Sequence, residues 1–175
     1  MRSPAALVSM ALALSVTTAG CVDLSSEESK GPRTQARVVW IADGDTLTLQ
    51  GGRRVRLVQI DAPEQDGGEC YSGRAETVLR ELVPIGSLVV VETDPRLDSH
   101  DEYGRTLGYV FRGTMNVNLE LVRLGAASAR FYHGERGRYA DELLAAAREA
   151  RASGAGLWGA CPGTPLDPYH PVDSG

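Results

Sequence analysis

Charged side chains stand at the edges of apolar runs in three places along this sequence, and their types suit one kind of chemistry. The stretch "RLVQIDAPE" opens on Arg56, runs apolar to Ile60, and closes on Asp61 and Glu64 around Pro63. Burying charge is costly unless it is paired or used. Alternate residues of a strand share a face. Asp45 therefore goes with Leu47 and Leu49, Arg56 with Val58 and Ile60, and Arg105 with Leu107, Tyr109 and Phe111. Three strands that each begin with a charge on an apolar face predict a charged site at one mouth of a barrel. Asp45 and Asp61 offer hard oxygen donors for Ca²⁺ or a similar ion. Arg56 and Arg105 can fork onto phosphate oxygens. Glu64, left unligated, can take a proton from water. Asp43 reads as a turn residue behind these ligands, His100 and His133 as surface residues, and His170 as part of the C-terminal tail.

The elements that must position these groups are short. "ARVVWIA" reads as a strand, Asp43-Gly44 as a hairpin turn, and "DTLTLQ" as an alternating strand. Gly51-Gly52 leads into a third strand, "RRVRLVQI". Helical spacing follows from Gly73 to Leu82, stopped by Pro84. "SLVVVET" and "RTLGYVF" are two further strands, "NVNLELVRLG" is a helix closed by Gly125, and a last helix runs from about Tyr139 to Ala152. Five strands with about three helices predict a mainly β, α+β fold: a five-stranded barrel of the OB kind with helices packed alongside.

The ends carry different information. Residues 1–20 pair Arg2 with an apolar run, Ala5 to Val16, too short to span a bilayer. They end in Thr18-Ala19-Gly20-Cys21, which resembles the lipobox of bacterial lipoproteins and implies a lipid on Cys21. Plain secretion with cleavage nearby is the alternative, and either route takes the protein out of the cytoplasm. Residues 21–35 read as a flexible tether, 36–161 as the folded domain, and 162–175, with four prolines, as a disordered tail. With Cys21 set aside, Cys70 and Cys161 are an even pair in an oxidising compartment. A disulfide between them is expected, the alternative being two free thiols.

The formal net charge is −5, and loss of residues 1–20 would remove Arg2 and no acid. That count argues against tight, unassisted binding of a polyanion, and any action on nucleic acid must rest on a local positive site.

"DGDTLTLQGGRRVRLVQIDAPE" (Asp43 to Glu64) together with "DEYGRTLGYV" (Asp101 to Val110) resembles the staphylococcal nuclease family, and "AGLW" falls where that family's last helix ends. The resemblance covers roughly Arg37 to Trp158. It implies Asp45, Asp61 and the Ala62 backbone carbonyl as Ca²⁺ ligands, Arg56 and Arg105 on the scissile phosphate, and Glu64 as general base. Tyr103 and Tyr132 match the family's tyrosines near the nucleotide. Glu102, where a lysine is usual, and the acidic loop from Gln65 to Tyr71 depart from the pattern and weaken long-range attraction for DNA. The implied activity is Ca²⁺-dependent hydrolysis of DNA and RNA to 3′-phosphate ends by a monomer. The competing reading is a non-catalytic OB-type lipoprotein that binds oligonucleotides without metal.

Overall fold

The computed structural model describes residues 31–175. The expected leader, residues 1–20, and the lipidation residue Cys21 lie outside the described residues. The chain forms β1 (Arg33–Ile41), β2 (Thr46–Leu49), β3 (Arg54–Leu57), a short β4 (Ile60–Asp61), α1 (Ser72–Leu82), β5 (Leu88–Glu92), β6 (Thr106–Arg112) and a short β7 (Met115–Asn116). It continues through α2 (Val117–Arg123), a short β8 (Ser128–Ala129), a 3₁₀ turn at Tyr132–Gly134, α3 (Ala140–Ser153) and a single turn, α4 (Leu157–Ala160).

Strands β3, β2, β1, β5 and β6 are neighbours in that order, and a parallel β3–β6 pairing closes them into a five-stranded barrel. Every other pairing in the ring is antiparallel. The interior is filled by fully buried Val38, Leu47, Leu49, Val55 and Leu57, with Val89, Val91 and Val110 facing them. Helix α2 is bound to this wall by Asn118, which is wholly buried. Its Oδ1 accepts from Val110 N–H at 3.0 Å, and its Nδ2 donates to Val58 O at 2.9 Å. Helices α2 and α3 end at Gly125 and Gly154, both at positive φ, where the missing Cβ removes the left-handed penalty.

Three features differ from the sequence-based expectation. The first strand begins at Arg33, inside the expected tether, because Arg33 pairs with Glu92 both along the ladder and through a 3.1 Å ion pair. The long strand expected through Gln59 breaks there: Gln59 has φ 63°, and its buried amide donates to Glu135 O and accepts from Gly137 N–H. Ile60 and Asp61 thereby leave the barrel ladder and pair with Ala129 and Ser128.

The expected disordered tail is instead packed. Pro168 O accepts from Phe131 N–H at 2.6 Å, Val172 is buried, and Ser174 Oγ donates to Cys70 O at 2.8 Å. Four prolines stiffen this segment and reduce the entropy lost in laying it down. The Cys70 and Cys161 sulfurs are bonded, at 2.04 Å, so the segment leaves the barrel and returns to it at the same cysteine pair.

Candidate active site

The turn between β1 and β2 brings the first carboxylate in. Asp43 Oδ1 accepts from Asp45 N–H at 3.0 Å, and Leu57 N–H donates to Asp45 O at 2.8 Å, which sets Asp45 beside the end of β3. Only glycine fits at position 44, where an added Cβ would lie 2.6 Å from the Ala62 Cβ and 2.9 Å from the Ala75 Cβ. Asp45 is nearly inaccessible, at 3% exposure. Its carboxylate accepts from Thr46 Oγ1 at 3.2 Å and from Ala62 N–H at 2.9 Å.

Arg56 lies between two acids. Nη1 is 2.6 Å from Asp45 Oδ2, and Nη2 is 2.6 Å from Asp61 Oδ1. Nη1 also donates to the carbonyls of Leu57 and Ile60, at 3.2 and 3.1 Å. The break at Gln59 is what turns Asp61 back toward the arginine. The second oxygen of Asp61 accepts from Val172 N–H at 2.8 Å, so the C-terminal segment caps this carboxylate. Burial, with Asp43 and Asp61 adding to it, pushes the Asp45 carboxyl up to about 8, against the pull of Arg56.

Arg105 is held locally. Its Nε donates to Asp101 Oδ2 at 2.5 Å, and its backbone N–H donates to Asp101 Oδ1 at 2.8 Å. Its guanidinium lies 5.4 Å from the Tyr103 ring centroid. Burial pushes the Asp101 carboxyl up, but the hydrogen bonds from Arg105 and Tyr103 outweigh it and hold it below the usual carboxylate range.

Strand parity is only half of what assembles these groups. Arg56 pairs with Thr46 and with Leu107, so Arg56 and Arg105 share the face opposite the barrel interior, where Val55 and Leu57 point. Strand β6 is buried on both faces, which hides from the sequence which parity is interior. Asp45 comes from the turn before β2 and Asp61 from beyond the break. The convergence therefore depends on two chain reversals as well as on alternation.

A cleft of about 720 Å³ collects Arg56, Asp61, Glu64, Tyr103, Arg105 and Tyr132. Burial, with Asp43 and Asp61 near, raises the Glu64 carboxyl, and Arg56 acts against it. A raised carboxyl is a stronger base toward water. Tyr103 and Tyr132 are 70% and 63% exposed, the first with the Arg105 guanidinium over its ring and the second with Arg130 and His133 against its own. His100 and His133, expected as plain surface residues, border the same cleft. Asp101, Gln59, Arg130 and the Pro171-Val172 pair also belong to the site or its support and were not picked out by sequence reasoning. Only Asp101 left a readable signal, an acid four residues before an arginine across a Tyr-Gly turn.

The donor set for a cation consists of carboxylate oxygens from Asp45 and Asp61, already bridged by one cationic group. Among the described residues no cluster of three or more His, Cys, Asp or Glu side chains is poised to hold a metal. Two hard carboxylates fit an oxygen-seeking divalent ion held weakly, with the rest of its shell from carbonyl and water.

Comparison with known proteins agrees with this geometry. Residues 54–160 match the family described as staphylococcal nuclease homologue. The chain is 34% identical over 142 residues to an uncharacterized endonuclease of Haemophilus influenzae, covering 78% of this chain and 71% of that one. It is 34% identical over 136 residues to a micrococcal nuclease of Shigella flexneri, covering 71% and 73%. It is 30% identical over 125 residues to the thermonuclease of Staphylococcus intermedius, covering 67% and 72%. With a closed barrel, two arginines and the acids gathered at one cleft, the chain belongs to the staphylococcal nuclease homologue family and is a nuclease that hydrolyses phosphodiester bonds.

Proposed function

We propose that this nuclease is calcium-dependent, acts outside the cytoplasm on both DNA and RNA, and leaves 3′-phosphate ends. The observation that carries the reading is Arg56 held between Asp45 and Asp61, with Glu64 and Arg105 on the same cleft. Hydrolysis needs water to attack phosphorus in line with the leaving oxygen, and negative charge builds on the phosphoryl oxygens as it does. Glu64 takes the proton of the attacking water. Arg105, oriented by Asp101 through Nε, presents the rest of its fork to the phosphate. Arg56 moves part of its hydrogen bonding from the aspartates to the phosphoryl oxygens. A Ca²⁺ ion held by Asp45, Asp61 and the Ala62 carbonyl would supply further charge neutralisation at the phosphate. Two protein carboxylates imply an affinity of roughly 10⁻⁴–10⁻³ M, the range of extracellular calcium modules.

The apolar leader and the Cys70–Cys161 disulfide support export, since disulfides persist in oxidising compartments. A lipid on Cys21 would then hold the domain at a bacterial membrane. Labelled DNA and RNA incubated with the domain, with Ca²⁺ or with chelator, test the reaction. Cleavage that needs Ca²⁺ and yields 3′-phosphate ends is expected. Cleavage indifferent to chelator, or 5′-phosphate ends, would overturn the metal or the regiochemical part. Binding without any cleavage would favour the oligonucleotide-binding alternative.

A further inference from the structure

Three arginines border the cleft, and only two of them are paired. Arg56 and Arg105 are each held by carboxylates, whereas Arg130 makes no ion pair among the described residues. Its backbone is fixed: Arg130 N–H donates to Gln59 O at 2.9 Å, immediately beside the break that delivers Asp61. The next residue, Phe131, is fully buried, while Arg130 is half-buried and borders the cleft. Its Nη1 is buried and has no hydrogen-bond partner. Among the described residues the guanidinium meets only the ring of Tyr132, 5.6 Å from its central carbon. A buried, unpaired N–H of a charged group is costly, and native structures seldom keep one without a use. Glu64, Glu69, Asp98 and Glu135 border the same cleft, so acids are near and none is taken as a partner.

We propose that Arg130 binds a second phosphate of the polynucleotide, next to the one being cleaved, with the Tyr132 ring face beside it receiving the adjoining base. This rests on the nuclease reading of the site. The pairing pattern selects the second phosphate over the first. Arg56 and Arg105 are held by Asp45, Asp61 and Asp101 at the reacting centre, whereas no carboxylate among the described residues holds Arg130. A guanidinium without a carboxylate matches a further phosphate. The substrate class is therefore an oligonucleotide with at least two phosphates, in preference to an ester with one. A guanidinium stacked on a tyrosine also gives a base a ready surface beside its phosphate grip.

The test compares Arg130→Ala, Arg130→Gln and Arg130→Lys with the parent on an octanucleotide and on a substrate with one phosphodiester. Loss of Arg130 should raise the octanucleotide KM about tenfold more than the single-phosphodiester KM, the worth of one charged hydrogen-bonding contact. It should also lower the slope of log KM against log salt by about 1. Lysine should restore the slope but little of the affinity, since it keeps the charge and loses the fork. Octanucleotide binding by fluorescence anisotropy in chelator reads the same contact without turnover. If the parent binds yet cleaves nothing, the nuclease reading fails and the anisotropy still decides the role of Arg130. Equal losses on both substrates, or an unchanged salt slope in KM and in anisotropy, would overturn the proposal.

Discussion

Around Arg56, two chain reversals close on a single guanidinium: the turn before β2 gives Asp45, and the break after Gln59 gives Asp61, which Val172 caps from 111 residues along the chain. Around Arg105, a single turn from Asp101 supplies the carboxylate, the backbone donors and the Tyr103 ring. Both arginines lie on one barrel face and border one cleft, yet the first station is tertiary and the second local. The lesson is that similar chemistry can carry very different structural weight. Without Arg56, Asp45 and Asp61 face each other with no counter-ion. Without the Arg105 side chain, Asp101 keeps its bonds from backbone N–H groups.

The largest expected effect comes from Arg56→Ala. Stability should fall by about 3–5 kcal/mol, the cost of breaking a buried pair from one side. Turnover should fall at least about a hundredfold. Denaturant midpoints and single-turnover rates measure both, and a variant as stable as the parent would erase the contrast between the stations. Reducing the disulfide comes next. It closes a loop across 91 residues, and the chain-entropy model assigns it roughly 4–5 kcal/mol. Reduction also releases the segment whose Val172 N–H caps Asp61. It should therefore couple with Arg56→Ala and add to Arg105→Ala within about 0.5 kcal/mol, as distant sites do.

Arg105→Ala should cut turnover by about a hundredfold or more while costing at most about 1 kcal/mol of stability. A collapse in stability would show that this station is not self-contained. The smallest effect concerns acid. Asp101 is held below its unfolded value, so it contributes stability above about pH 4 that is lost as pH falls through the folded value. Arg105→Ala should flatten the decline in thermal midpoint below about pH 4. An unchanged decline would mean that Asp101 draws its shift from the backbone alone.

Much of this was legible in the chain. Gly73 to Leu82 carries helical spacing up to Pro84 and forms α1, Ser72–Leu82. The Asp43-Gly44 turn and the alternation in Thr46–Leu49 appear as expected because both are set by neighbouring residues. The pattern failed where distant partners intervene. Nothing local marks Gln59 as a break, since the loop at Glu135 to Gly137 fixes its amide. Nothing local orders residues 162–175, since Phe131, Asp61 and Cys70 supply their partners.

The sequence by itself determined the barrel's strands, the helices and the kinds of group available for chemistry, because propensity and alternation act over a few residues. Only the tertiary structure decided which of those groups meet. It put Arg56 between two aspartates, left Arg130 Nη1 without a hydrogen-bond partner among the described residues and laid the proline-rich segment against Asp61. Charge pairing and burial depend on distance in space, and that distance is fixed only once the whole chain has closed.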